Sequence, residues 1–386
     1  MSGRWAVVHP GFGPRGGGEL VGAWVLQALA AEREVMLVTE QRVDWREIDA
    51  AFGTTLQTQA NLSAQRLPAA WRVSLRAAPG RGHRLRRAVL ERFARQLAVQ
   101  ENAMRWISTC DEMRLPHPGF QYVHFPRLPD SGERTKWHRL PGAARVHELV
   151  SRALEAGAAT SERDHVTWVN SQFTAAAWHR IYGTSCEVIY PPVPPLLRET
   201  DLRPWAEREQ RVVCVGRIIW WKGLERVLRI VAAARERGAS LRLVFAGRWD
   251  CGARERREIE QRMREAGAEL QVGLAREELG ALLATSRYGL HGMNEEPFGI
   301  AVAEMQDAGL VVLAPTEGGP AEILGDDRQL YCSDDEASEK LLRICRDDTQ
   351  QQELHQRALS RRGLFSRERF VGAIRASLMS GRVSRD

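Results

Sequence analysis

Glu296 and Glu304 stand with seven residues between them, in the stretch HGMNEEPFGIAVAEMQDAGLVVLAPTEGG that runs from His291 to Gly319. A Pro-Phe-Gly turn follows the first glutamate, and an apolar helix opens before the second. A helix beginning after Pro297 has free amides and a partial positive charge at its first turn. Gly299 lets a ligand approach that backbone, and a phosphate is the expected guest. Helical side chains lean toward the N-terminus, so Glu304, one turn in, points back at the same guest. A carboxylate accepts two hydrogen bonds and suits a pair of sugar hydroxyls. Glu296 precedes the turn, on its other side. The two describe a pocket for a molecule with phosphate in the middle and hydroxyls at both ends. The plainer alternative, a helix-start charge plus a buried carboxylate, leaves Glu304 of IAVAEM in need of a partner.

Countercharge for a diphosphate comes from VGRIIWWKG (215–223), with Arg217 just past a strand end and Lys222 five residues on, before a helix. Trp220 and Trp221 either form a wall there or pack under the loop. A third element is GPRGGGE (13–19), in which Gly17 and Gly18 head a helix and permit close approach. It is not G-x-G-x-x-G and carries no dinucleotide fingerprint. His124 in YVHFP sits at a strand end, where facing a ligand and simple packing are both open. Asn170 and Ser171 start a helix, and capping explains them as well as function does.

The elements that would position these residues alternate strand and helix. WAVVHP, EVMLVTE, QYVHFP and EVIY are strands of the first half, with helical stretches after GGGE and VNSQF. RVVCVGRI, LRLVFAGRW, ELQVGL, YGLHGM and LVVLAP repeat the pattern in the second half. Such alternation predicts a parallel sheet covered on both faces, with ligands at the carboxyl ends of its strands. A length of 386 residues suggests two domains. The expected division is an α/β Rossmann-like domain over 1–192 on the acceptor side, a proline-rich linker at 193–208, and a second Rossmann-like domain over 209–365 on the donor side. A C-terminal helix at 366–386 then crosses back to the first domain. Two doubly wound domains facing across a cleft is the architecture expected.

Composition narrows the class. With 44% apolar and 27% charged residues the chain reads as soluble and globular. Six scattered cysteines without a C-x-x-C pair read as reduced thiols of a cytoplasmic protein, neither a disulfide frame nor a zinc site. No secretory leader is expected from MSGRWAVVHPGFG, and the near-apolar stretch from Leu20 to Ala31 is too short to span a bilayer. The net charge of +6 is concentrated at 66–95, where nine arginines face one acid, Glu91, with Leu75, Leu85, Val89, Leu90 and Phe93 interleaved. A solvated helix face competes there with contact to an anionic membrane surface or acceptor. Nucleic acid is not expected, since no helix-turn-helix, zinc or RNA-binding signature accompanies the arginines.

Taken together these residues resemble glycosyltransferase family 4, of GT-B fold. The resemblance rests on Glu296 and Glu304 with seven residues between, on EPFGIAVAEM, AGLVVLA and GGPAEIL, and on Gly216, Arg217, Lys222 and Gly223. GGGE, YVHFP and VNSQFT extend it into the first half. Within the family it looks most like the alpha-1,2-mannosyltransferases of the lipid-linked oligosaccharide core, without the N-terminal membrane helix those have. The resemblance implies a retaining, metal-independent hexosyl transfer from a nucleotide-diphosphate sugar, GDP-mannose first and a UDP-sugar next, to a sugar, lipid-linked or small-molecule acceptor. The absence of any Asp-x-Asp fits. By motif position it implies that Arg217 and Lys222 hold the diphosphate and offset leaving-group charge, that Gly299 and Ile300 offer it backbone amides, and that Phe298 belongs to the donor-binding set. Glu304 then binds ribose, while Glu296 and His124 contact the donor sugar, with Gly17 and Gly18 as the floor. A catalytically silent nucleotide-binding protein or an epimerase of the same fold are the rivals.

Overall fold

The computed structural model describes residues 4–13, 16–77, 83–101, 104–126 and 160–380. Residues 78–82 of the arginine-rich stretch, and Pro14 and Arg15 of the glycine-rich loop, lie outside them.

The chain divides into two compact units, one of residues 1–192 with 367–386 and one of 193–366. Unit 1 holds β1 (Trp5–Val8), β2 (Val35–Thr39), β3 (Leu62–Arg66), β4 (Arg105–Ser108), β5 (Phe120–Val123), β6 (Val166–Val169) and β7 (Glu187–Val188). They form one parallel sheet in the order β3-β2-β1-β4-β5-β6-β7. Its described helices are α1 (Gly17–Ala30), α2 (Trp45–Phe52), α3 (Ala69–Ala77), α4 (His83–Gln100) and α5 (Gln172–Tyr182).

Unit 2 contains β8 (Glu209–Ile218), β9 (Arg242–Trp249), β10 (Ala268–Val272), β11 (Ser286–Leu290), β12 (Val311–Pro315) and β13 (Leu330–Tyr331), parallel in the order β10-β9-β8-β11-β12-β13. Its helices are α6 (Leu224–Glu236), α7 (Ala253–Glu265), α8 (Arg276–Ala284), α9 (Ile300–Asp307), α10 (Pro320–Leu324), α11 (Asp334–Arg346) and α12 (Asp348–Ser360). Both units are doubly wound α/β sheets. Central strands such as β1 and β12 are buried along their whole length, as a sheet covered on both faces requires.

The last helix, α13 (Arg367–Ser380), belongs to unit 1. Arg375 donates to the Ala28 carbonyl at 3.2 Å, and Trp168 Nε1 donates to Ser377 Oγ at 2.9 Å. The proline-rich segment 193–208 is not a free tether. Val193 pairs with the Phe365 carbonyl at 2.7 Å, Trp205 is buried in the unit 2 core, and the Arg208 guanidinium caps the Ser286 and Ala308 carbonyls. Prolines keep it out of the sheet, but its aromatic and arginine side chains tie it down.

Of the two readings of the arginine-rich stretch, packing favours the solvated helix face. Leu75, Val89, Leu90 and Phe93 are buried in the core that α3 and α4 share with the sheet, and Leu85 packs against it. Several arginines are committed: Arg86 pairs with Glu40, Arg72 caps the Leu67 carbonyl, and Arg87 lies 3.6 Å from Glu91. The apolar residues between the charges therefore form no free face for a bilayer. Among the described residues no helix is long and apolar enough to cross a membrane.

Candidate functional site

In unit 2 the strand order reverses between β8 and β11, and sheets of this kind bind ligands at the carboxyl ends of the strands at such a switch point. Arg217 is the next-to-last residue of β8, and Lys222 closes the 3-10 turn Trp220–Lys222 before α6. His291 and Glu296 follow β11. Gly223 and Gly292 bind these loops together. Gly223 has φ 78°, and a Cβ on either glycine would overlap the carbonyl oxygen of the other. Only glycine lets the two backbones touch, and that contact brings Lys222 to Glu296.

Lys222 Nζ lies 2.6 Å from Glu296 Oε2, with both side chains about 15% exposed. Burial by itself raises the Glu296 carboxyl pKa, but Lys222, then His291 and Arg217, outweigh it and hold the group below its ordinary 4.5. His291 is buried, and burial, with Lys222 nearby, lowers its pKa against the opposing pull of Glu296. Its Nε2 comes to 3.6 Å from Glu296 and has no hydrogen-bond partner among the described residues. Its carbonyl accepts from the Tyr331 hydroxyl. Arg217 bonds Asp250 at 2.8 Å and remains half-exposed.

The turn between the two glutamates is built by unusual backbone. Glu295 has φ 52° and Gly299 φ 101°, conformations that side-chain-bearing residues rarely hold. The TEGGP loop clamps it from outside: Glu296 bridges Gly318, the Gly319 amide donates to the Glu296 carbonyl at 2.9 Å, and a Cβ on Gly319 would lie 2.5 Å from Phe298 Cα. Gly299 precedes α9, leaving the Ile300 and Ala301 amides at the head of the helix without intrahelical acceptors. Phe298, expected among the donor-binding residues, is 3% exposed and packs edge-on against Phe365 at 5.2 Å.

Glu304 sits one turn into α9 with 12% of its side chain exposed. Burial raises its pKa above 4.5, which Arg276 only partly offsets from 3.6 Å. Such a group favours the fold when protonated, below the unfolded value. That contribution is lost as pH rises through the raised value. Ionisation of Glu304 thus works against the stability of the fold, as it does for residues kept for another purpose.

In unit 1 the reversal falls between β1 and β4. Gly17 and Gly18 open α1, and a Cβ on Gly18 would lie 3.4 Å from His124 Nε2. The His124 ring is within 3.2 Å of the Thr109 carbonyl, and Asn170 Nδ2 donates to the His124 carbonyl at 2.8 Å. The candidates therefore assemble as two groups: Arg217, Lys222, Glu296, Gly299, Ile300 and Glu304 in unit 2, and Gly17, Gly18 and His124 in unit 1.

Residues not singled out from sequence join both. His9 is buried at the end of β1, stacks on Phe12 at 4.6 Å, and is held neutral by burial, its pKa lowered to about 4. His291 opens the quoted stretch His291–Gly319 and Asp250 comes directly after LRLVFAGRW, each just past a strand end, a positional signal that could have marked them. Arg276 carries no such signal.

Residues 199–361 match the family model of glycosyl transferases group 1. Two curated relatives are similar over part of their length, both described as GDP-Man:Man(3)GlcNAc(2)-PP-Dol alpha-1,2-mannosyltransferase. The Dictyostelium discoideum protein is 26% identical over 175 residues, 40% of this chain and 34% of that one. The Xenopus laevis protein is 31% identical over 168 residues, 40% and 35%. The chain thus spans about a third of the length of the curated relatives it matches. In structure it is similar to HepE from Anabaena, solved in complex with UDP, with a TM-score of 0.67 at 15% identity over 98% of this chain and 100% of that one. The fold is GT-B.

Proposed function

We propose that this protein, whose residues 199–361 match the family model of glycosyl transferases group 1, moves a hexose from a nucleotide-diphosphate sugar to a hydroxyl acceptor. The observation that carries the reading is the arrangement of groups at the β8–β11 switch point. Arg217 and Lys222 follow β8, Gly299 and the first amides of α9 follow β11, and Glu296 and Glu304 lie on either side of that helix start, a set of groups that suits an anion flanked by hydroxyls.

In the transfer, the C1–O bond to the diphosphate breaks and takes its electron pair to the phosphate oxygen. A new C1–O bond forms to the acceptor hydroxyl, whose proton passes to the departing diphosphate oxygen. Arg217 and Lys222 offset charge on the departing diphosphate, joined by the Gly299 and Ile300 amides. Glu304 accepts from the ribose hydroxyls and Glu296 from the hexose. His124 contacts the donor sugar in the same reading, with Gly17 and Gly18 as the floor beneath donor and acceptor. Retention at C1 and independence of metal belong to the same reading, as does a cytoplasmic location. Peripheral contact of 66–95 with an anionic surface would rest on charge alone.

GDP-mannose is the first donor, supported by the curated relatives' names; a UDP-sugar is second, supported by the UDP complex of HepE. A lipid-linked acceptor follows from the relatives' names in the same way.

The test is mass spectrometry of reactions with labelled GDP-mannose or UDP-glucose and lipid-linked or free sugar acceptors, with and without EDTA. Product should form in EDTA. In parallel, Arg217→Ala should weaken UDP or GDP binding at least about tenfold, the effect of losing a charge-assisted hydrogen bond. Nucleotide binding without transfer to any acceptor would favour the silent rival, and conversion of the donor without acceptor an epimerase.

Glu304 makes a separate expectation. Nucleotide affinity measured by calorimetry should be full above its raised pKa and fall as pH drops through it, earlier than an ordinary glutamate allows. Glu304→Gln should remove that pH dependence and weaken binding, while unfolding at neutral pH no more easily than the wild type.

A further inference from the structure

Trp221 is 50% exposed, whereas its neighbour Trp220 packs against the unit 2 core. The Arg217 guanidinium carbon lies 4.7 Å from the Trp221 ring centroid and the Lys222 ammonium 4.9 Å from it. We propose that the Trp221 indole is a positioning residue that holds both cations ready for a diphosphate, an inference resting on the assignment of Arg217 and Lys222 above.

Two like charges beside one ring repel each other, and the negative ring face offsets that repulsion. Each cation also has a carboxylate partner, Asp250 for Arg217 and Glu296 for Lys222. An arriving diphosphate competes with those carboxylates for the same donors. It does not compete with the ring, which contacts the cations through its face. The indole contact therefore persists through binding and keeps two long, flexible side chains aimed. Without it, their ordering is charged against ligand affinity. Half-exposure means that the ring can be removed without opening the core.

The experiment measures UDP and GDP affinity by calorimetry for Trp221→Leu, Trp221→Phe and proteins carrying indoles of increasing fluorination at position 221. Trp221→Leu should weaken both nucleotides by about fivefold or more, with Trp221→Phe between. Fluorination preserves shape but drains the ring face, so affinity should fall stepwise with each fluorine. Uridine, which has no phosphate, should be unaffected throughout. A flat fluorination series beside a weakened Trp221→Leu would make the role one of shape and overturn the proposal, as would unchanged affinity in every variant. If Arg217→Ala and Lys222→Ala also leave UDP and GDP affinity unchanged, the diphosphate assignment fails and takes this inference with it. If those two lose affinity and the Trp221 variants do not, this inference alone fails.

Discussion

Replacing Lys222 with alanine is expected to destabilise unit 2 by about 3 kcal/mol at neutral pH, the cost of stranding one partner of a buried pair. Glu296 keeps its charge in the folded protein because Lys222 stands 2.6 Å away and His291 and Arg217 add smaller contributions. In the wild type this depressed carboxyl contributes stability above its unfolded value of 4.5, and the contribution is lost as pH falls through the lower folded value. Without Lys222 the burial that already opposes ionisation dominates. The sign reverses: the variant is weakest at neutral pH and recovers relative to wild type as acid protonates Glu296. Urea unfolding across pH measures this. The double variant Lys222→Ala/Glu296→Gln should regain most of the stability, since no charge is stranded, yet bind UDP and GDP as poorly as the single variant. A single variant as stable as wild type would show that the pair is too well solvated to matter. Restored nucleotide affinity in the double variant would remove Lys222 from the diphosphate site.

Gly223→Ala should be more damaging than an alanine at any open glycine of the same conformation. Gly223 (φ 78°) and Gly273 (φ 76°) both hold left-handed backbone, for which a Cβ costs about 1 kcal/mol. A Cβ at Gly273 meets nothing within 4 Å, so Gly273→Ala should show only that conformational cost. At Gly223 it would strike the Gly292 carbonyl and lie 2.8 Å from the Met293 amide. Backbone cannot rotate away as a side chain can, so the total should reach about 3 kcal/mol or more. The loops after β8 and β11 would then separate, drawing Lys222 away from Glu296. Thermal unfolding and UDP binding should both drop for Gly223→Ala, with UDP binding intact in Gly273→Ala. Equal behaviour of the two variants would show that the interloop contact is not what assembles the site.

Much of this protein was legible before folding. β1, β2, β8, β9 and β12 appear as apolar runs because their side chains are buried on both faces, so no alternation with polar residues interrupts the signal. The turn between Glu296 and Glu304 was legible because proline and glycine leave few backbone alternatives. β3 was not. As the edge strand of its sheet it leaves Ser63, Ala64 and Gln65 exposed, and LSAQR carries neither an apolar run nor clean alternation. The arginine-rich stretch was ambiguous for a different reason: interleaved apolar residues fit an amphipathic surface and a core-facing helix equally, and only packing against the sheet selects the core.

Sequence by itself determined which residue types could handle a phosphate flanked by hydroxyls, and that they would fall at strand ends of α/β sheets. Tertiary structure decided which of them meet. Lys222 and Glu296 are 74 positions apart and pair only because Gly223 and Gly292 allow two loop backbones into contact. Phe298 turned into the core although it lies inside the motif, because burying its ring against Phe365 removes apolar surface from water that a polar pocket would leave exposed. Glu304 drew Arg276 from the start of α8, 28 positions earlier, because a carboxylate that deep needs a counterion from whatever element packs beside it.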